Sequence, residues 1–95
     1  MALFALICMD KPNALDLRLK TRPDHLAYMQ SKAEAVRLGG PLLDAEGGMI
    51  GSMIIVEAPD KAAAEALSAG DPYVKAGLFA SVQITGFNRA AGSWA

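Results

Sequence analysis

Leu3–Met9 reads LFALICM, seven apolar residues in a row, and stops at Asp10-Lys11-Pro12-Asn13. A short apolar run closed by a charged pair and a Pro-Asn turn signal reads as a buried strand. Ala2, Phe4, Leu6 and Cys8 fall on one side of that strand, and Leu3, Ala5, Ile7 and Met9 on the other. Both sides are apolar, so the sheet that holds this strand needs cover on both faces. The run is no membrane or export segment. Met1–Met9 is far shorter than the roughly 20 residues of a spanning helix, and no basic stretch precedes it. A cytoplasmic protein with no membrane attachment is the expectation.

Downstream, Asn13–Lys20 (NALDLRLK) reads as a charged connection with room for a helical turn, and Pro23–Leu38 as the main helix. Pro23 suits a first helical turn, and Asp24 complements the positive end of the helix dipole. Leu26, Met29, Ala33 and Val36 recur at three-and-four spacing, which predicts the stripe that faces the sheet. Gly39-Gly40 predicts its stop. Pro41–Ala45 and Met49–Glu57 read as strands around the turn Glu46-Gly47-Gly48. Asp60–Ala69 is an alanine-rich helix ended by Gly70, and Phe79–Phe87 is a fourth strand in which Val82 and Ile84 alternate with polar residues. The tail Asn88–Ala95 has Trp94 as its one large residue, and residues 89–95 are expected to be flexible or to join an interface.

The resulting order, β-α-β-β-α-β, is the ferredoxin-like α+β pattern: a four-stranded antiparallel sheet with both helices on one face. The helix-free face then needs a partner. A second copy of the chain is the simplest one, so a homodimer is expected.

Composition agrees with a single domain spanning residues 1–95. At 53% hydrophobic, the chain has more apolar residues than a small monomer buries easily, which again points to an interface. A net charge of −1 gives no basic excess for phosphates, so no nucleic-acid partner is expected. Cys8 is the only cysteine, which excludes an internal disulfide and a thiolate metal cluster.

Few residues are left for chemistry. His25 is the single histidine, so a zinc site built on paired histidines is excluded. It follows Arg22-Pro23-Asp24, where a helix start favours the neutral imidazole, a form able to act as general base. The alternative is a solvent-facing histidine at a helix start. Asp71-Pro72 reads first as the N-cap and first position of a short helical turn. Tyr73 fits either a pocket wall or the core. Arg18 and Arg22, four apart, suit a carboxylate held between guanidinium groups, or equally a solvated connection. Cys8, inside an apolar strand, reads as an inert thiol.

Three segments carry a resemblance: Asp10-Lys11 behind the apolar strand, Arg18-x-x-x-Arg22-x-x-His25-Leu26, and Asp71-Pro72-Tyr73-x-x-x-Gly77 about 45 residues beyond His25. Together they resemble the YciI-like (YCII-related) family over nearly the whole chain. The resemblance implies a dimeric α+β barrel protein akin to the muconolactone isomerases. It also implies an active-site His–Asp pair, carried here onto His25 and Asp71, in a family that includes a member dehalogenating a chloromuconolactone. The segment Gly39–Ser52 is shorter than the family pattern, and Gly40-Pro41 falls earlier.

Two functions are compatible with these readings. One is a small enzyme of the lactone isomerase or dehalogenating lyase type, needing no cofactor. In it His25 moves a proton, Asp71 orients it, and Arg18, Arg22 and Tyr73 hold a small anionic substrate. The other is a non-catalytic ligand-binding or accessory domain. The fold hosts both kinds. A His25–Asp71 pair within hydrogen-bond reach inside a pocket favours the first.

Overall fold

The computed structural model describes residues 1–93; Trp94, singled out above, lies outside them. Strand β1 (Ala2–Asp10) is followed by helix α1 (Leu15–Ser31), strands β2 (Val36–Leu43) and β3 (Met49–Ala58), helix α2 (Lys61–Ala69), the single turn α3 (Pro72–Lys75) and strand β4 (Phe79–Phe87). The sheet order is β2-β3-β1-β4, and every pairing is antiparallel. This is the expected ferredoxin-like α+β fold of the dimeric α+β barrel group, with the apolar LFALICM run in an inner strand.

The register sorts the side chains. Leu6 lies opposite Ile54 and Ile84, and Phe4 opposite Val56, which puts these residues on the helix-bearing face. Phe4, Leu6, Cys8, Ile54, Val56 and Ala58 form the core there with Ala64 of α2. On the reverse face Ala5 lies opposite Ile55, and Ile7 opposite Met53. A register shift after Met9 pairs Asp10 with Phe79 and skips Ala80. That bulge turns the Phe79 ring onto the helix side, where it packs against the core.

The first helix departs from the expectation at both ends. It starts at Leu15, inside the stretch read as a connection, and Pro23 sits in its interior. It stops at Ser31, so Val36-Arg37-Leu38 and both glycines belong to β2 rather than to a helix and its stop. The expected stripe holds only in part: Met29 and Val36 pack against the core. Leu26 is 52% exposed, Ala33 lies in the exposed turn after the helix, and Val36 is in a strand. The buried residues of α1 are Arg18 and His25, with Met29 half-buried beside them. Polar groups can occupy an inner face when each finds a hydrogen-bond partner, and here each does. The apolar period therefore missed the polar residues of the inner face. The turn between β2 and β3 carries Gly47 at φ 83, a left-handed position suited to glycine.

Candidate functional site

Asp71 caps α3: its Oδ1 accepts from the Tyr73 backbone N–H at 2.9 Å, with Pro72 in the first helical position. The same oxygen lies 2.9 Å from Nδ1 of His25, in the third turn of α1. One carboxylate therefore holds both the helical turn and the imidazole, and it is 3% exposed. A carboxylate only accepts, so Nδ1 carries a proton and donates it, and in the neutral ring Nε2 has the free lone pair. His25 is not at a helix start, so the dipole plays no part. Its orientation comes from Asp71 and from Tyr73, whose ring stacks on it at 4.0 Å and 18°.

Tyr73, buried to 1% exposure, connects the polar groups. Its ring meets Phe79 edge-on at 5.8 Å and lies 4.7 Å from the Arg18 guanidinium carbon. Burial pushes its phenol up, while the charges of Arg18 and Arg22 pull the other way. Arg18 is buried and paired through Nε and Nη2. Its Nε and Nη2 donate to the two oxygens of Asp10 at 2.7 and 2.9 Å, and Nη2 donates to Ser52 Oγ at 2.8 Å. Burial works against the Arg18 charge, but the bonds and charge of Asp10 outweigh it and hold the guanidinium above its ordinary value. Asp10 and Ser52 were not singled out as site residues. Parity puts both on the Cys8 side of the sheet, and Asp10 also belongs to the Asp10-Lys11 segment that carries the family resemblance.

Two further contacts fix the distance between α1 and the Asp71 turn. Tyr28 O–H, one turn beyond His25, donates to the Leu67 carbonyl of α2 at 2.6 Å. Gly70 lies directly against that hydroxyl, where a Cβ would come within 2.4 Å of it. Any side chain at 70 displaces the Tyr28 ring, and with it the spacing of His25 and Asp71.

Between α1 and strands β2 and β3 lies a cavity of about 170 Å³. His25, Arg18, Arg22, Ser52 and Tyr73 give it a polar side; Leu26, Met29, Val36, Pro41 and Ile54 give it an apolar one. The expected site residues Arg18, Arg22, His25 and Tyr73 all line it, and Asp71 reaches it through His25. Arg22 is solvent-facing at its rim. Cys8, beneath this cluster, is a thiol pushed up to about 12 by burial and then by the charge of Asp71. It is no nucleophile at neutral pH. No group of three or more metal-ligating side chains occurs among the described residues, and no helix there is long and apolar enough to cross a membrane.

Comparison with known proteins places this arrangement. Protein YciI of Escherichia coli O6:H1 is 34% identical over 95 residues, covering 92% of this chain and 97% of its own. An uncharacterised protein of Haemophilus influenzae is 33% identical over 94 residues, covering 90% of this chain and 96% of its own. Among solved structures, 5-chloro-2-hydroxyhydroquinone dehydrochlorinase (TftG) of Burkholderia phenoliruptrix AC1100, in complex with 2,5-dihydroxybenzoquinone, superposes with a TM-score of 0.86. It is 31% identical and covers 93% of this chain and 95% of its own. A crystal structure of an antibiotic biosynthesis monooxygenase, with a TM-score of 0.57 and 14% identity over 96% of this chain and all of its own, shares the fold alone. The model of the YCII-related domain matches residues 2–88, and the chain belongs to that family.

Proposed function

We propose that this protein is a cofactor-independent proton-transfer enzyme, of the lactone isomerase or dehalogenating lyase type, acting on a small anionic molecule. The observation that supports it most is the 2.9 Å contact between His25 Nδ1 and Asp71 Oδ1 in the wall of a cavity. With Nδ1–H held by Asp71, the Nε2 lone pair takes a proton from a carbon next to a substrate carbonyl, and Asp71 stabilises the imidazolium that forms. In an isomerase the same Nε2–H returns the proton to a different carbon. In a lyase the electron pair left by the proton forms a carbon–carbon double bond and expels halide, so that the proton and halide leave together. The dehydrochlorinase named above supports the second route for this scaffold.

Arg22 holds the substrate anion in this reading, because Arg18 is already bonded to Asp10 and serves to position Tyr73. The chain acts as one domain and as a homodimer joined through the sheet face opposite the helices. Among the described residues no helix covers that face, and Leu38 and Phe87 lie on it 43% and 41% exposed. Its lone thiol suits the reducing cytoplasm.

The test is chloride release from 5-chloro-2-hydroxyhydroquinone and isomerisation of muconolactone, with wild-type protein and His25→Asn. General acid–base catalysis predicts a loss of about 10²–10⁴-fold in the variant. Equal rates in the two proteins, or binding of both compounds without turnover, contradict the enzyme and favour a binding domain.

A further inference from the structure

We infer that Gly39 determines specificity: the side chain missing there leaves the room that the apolar body of the substrate occupies. This rests on the proton-transfer reading above and adds a residue to its site. Gly39 lies inside strand β2, where a glycine weakens the strand and offers nothing to pack. Its backbone does not need one, since its φ lies outside the left-handed region that Gly47 occupies. Packing does not need one either. Among the described residues a Cβ at 39 would meet nothing nearer than Ile54 Cγ1 at 3.6 Å, an ordinary contact. At Gly51 and Gly70, by contrast, a Cβ would come within 2.4 Å of the Cys8 carbonyl oxygen or the Tyr28 hydroxyl. A strand glycine with neither reason marks a place where a ligand comes close to the backbone.

The register puts that place in the site. Gly39 lies opposite Ile54, flanked by Val36 opposite Val56 and by Pro41 opposite Ser52. Cross-strand partners share a face, so this row of β2 looks onto the helix-bearing side. Val36, Gly39, Pro41 and Ile54 all line the cavity, with Leu26 and Met29 of α1 on its other side. Val36 and Pro41 are walls, and Gly39 is the gap between them. The apolar body of the substrate lies in that gap, against the Gly39 backbone and Ile54. A side chain at 39 would stand in its place.

Gly86 supplies the control: it too is a strand glycine, in β4, with open space where a Cβ would be, and it is not part of the cavity wall. Two probes are titrated by NMR: benzoate, an anionic group with an apolar body, and acetate, the anionic group alone. The proteins are wild type, Gly39→Ala, Gly39→Val and Gly86→Ala, and urea midpoints are measured without ligand. Gly39→Ala and Gly86→Ala should both keep or raise the midpoint, because alanine accepts the native φ and restricts the unfolded chain. Gly39→Ala should weaken benzoate about tenfold, as one misplaced methyl group in an apolar pocket does, and Gly39→Val more. Acetate binding should not change, and Gly86→Ala should bind benzoate like wild type. The inference is overturned if wild type binds benzoate no more tightly than acetate, or if the residue-39 variants bind benzoate like wild type. It is also overturned if Gly86→Ala loses as much affinity, or if Gly39→Ala lowers the urea midpoint, which would make this glycine structural. Failure of the proton-transfer reading looks different: benzoate still depends on residue 39, while His25→Asn leaves turnover unchanged.

Discussion

His25 and Asp71 are 46 positions apart in the chain and 2.9 Å apart between Nδ1 and Oδ1. Asp71 reaches the ring from the end of a one-turn helix that it also caps, so the contact with the imidazole and the local fold share one oxygen. Tyr28 and Gly70 hold the two elements at that spacing.

Tyr28→Phe removes the hydroxyl donor to Leu67 while keeping the ring, and should cost about 1 kcal/mol, as a single buried hydrogen bond does. Gly70→Ala drives a methyl group into the Tyr28 hydroxyl and should cost more. Both variants should also broaden or shift the His25 ring resonances. Urea midpoints that match wild type, together with unchanged His25 signals, contradict the interlock.

Arg18→Met leaves Asp10 buried without its cation and should cost about 3–5 kcal/mol in denaturant unfolding. Adding Asp10→Asn in the same chain should recover part of that loss, because the stranded charge is gone. Additive losses in the double variant would show that the two residues do not interact.

Leu26→Ala should change stability by less than about 0.5 kcal/mol, since the side chain is half in solvent. Leu6→Ala, in the core of the helix-bearing face, should cost about 2–5 kcal/mol. Denaturant titrations of the two variants side by side check which face of α1 is buried. Comparable losses mean that Leu26 packs against the sheet after all.

These differences show what the residues alone reveal. The order of elements was readable because β1, β3 and β4 are apolar or alternating runs closed by Gly, Pro and Asp. The limits of α1 were not, because its inner face carries Arg18 and His25, and hydrophobic periodicity cannot find a polar inner face. His25 and Asp71 were found through segments that resemble a family. Ser52 carried only its parity and Tyr28 no local signal: their partners lie 34 and 39 positions away, and only the folded sheet and helices bring them together.

Cys8 sets an alkaline limit. The thiol titrates near 9.0 when unfolded and is pushed up to about 12 in the folded chain by burial and by Asp71. The folded state therefore holds that proton more tightly. Its contribution to stability is complete below pH 9 and is lost as pH rises toward 12. Tyr28 and Tyr73, also raised by burial, add the same sign only above 10.0. Urea midpoints should begin to fall between pH 9 and 10, and Cys8→Ala should flatten that part of the profile. An identical slope in the variant contradicts the assignment. Thiol reagents should leave native Cys8 unmodified at neutral pH.

The most direct test of the central claim is nitrogen NMR of the His25 ring at a pH where the imidazole is neutral, in wild type and in Asp71→Ala. A free neutral imidazole prefers its proton on Nε2, whereas the geometry here requires it on Nδ1, donated to Asp71. Wild-type protein is predicted to show a protonated Nδ1 and a bare Nε2, and Asp71→Ala to return the ring toward the Nε2–H form. The same tautomer in both proteins contradicts the dyad, and with it the assignment of Nε2 as the base.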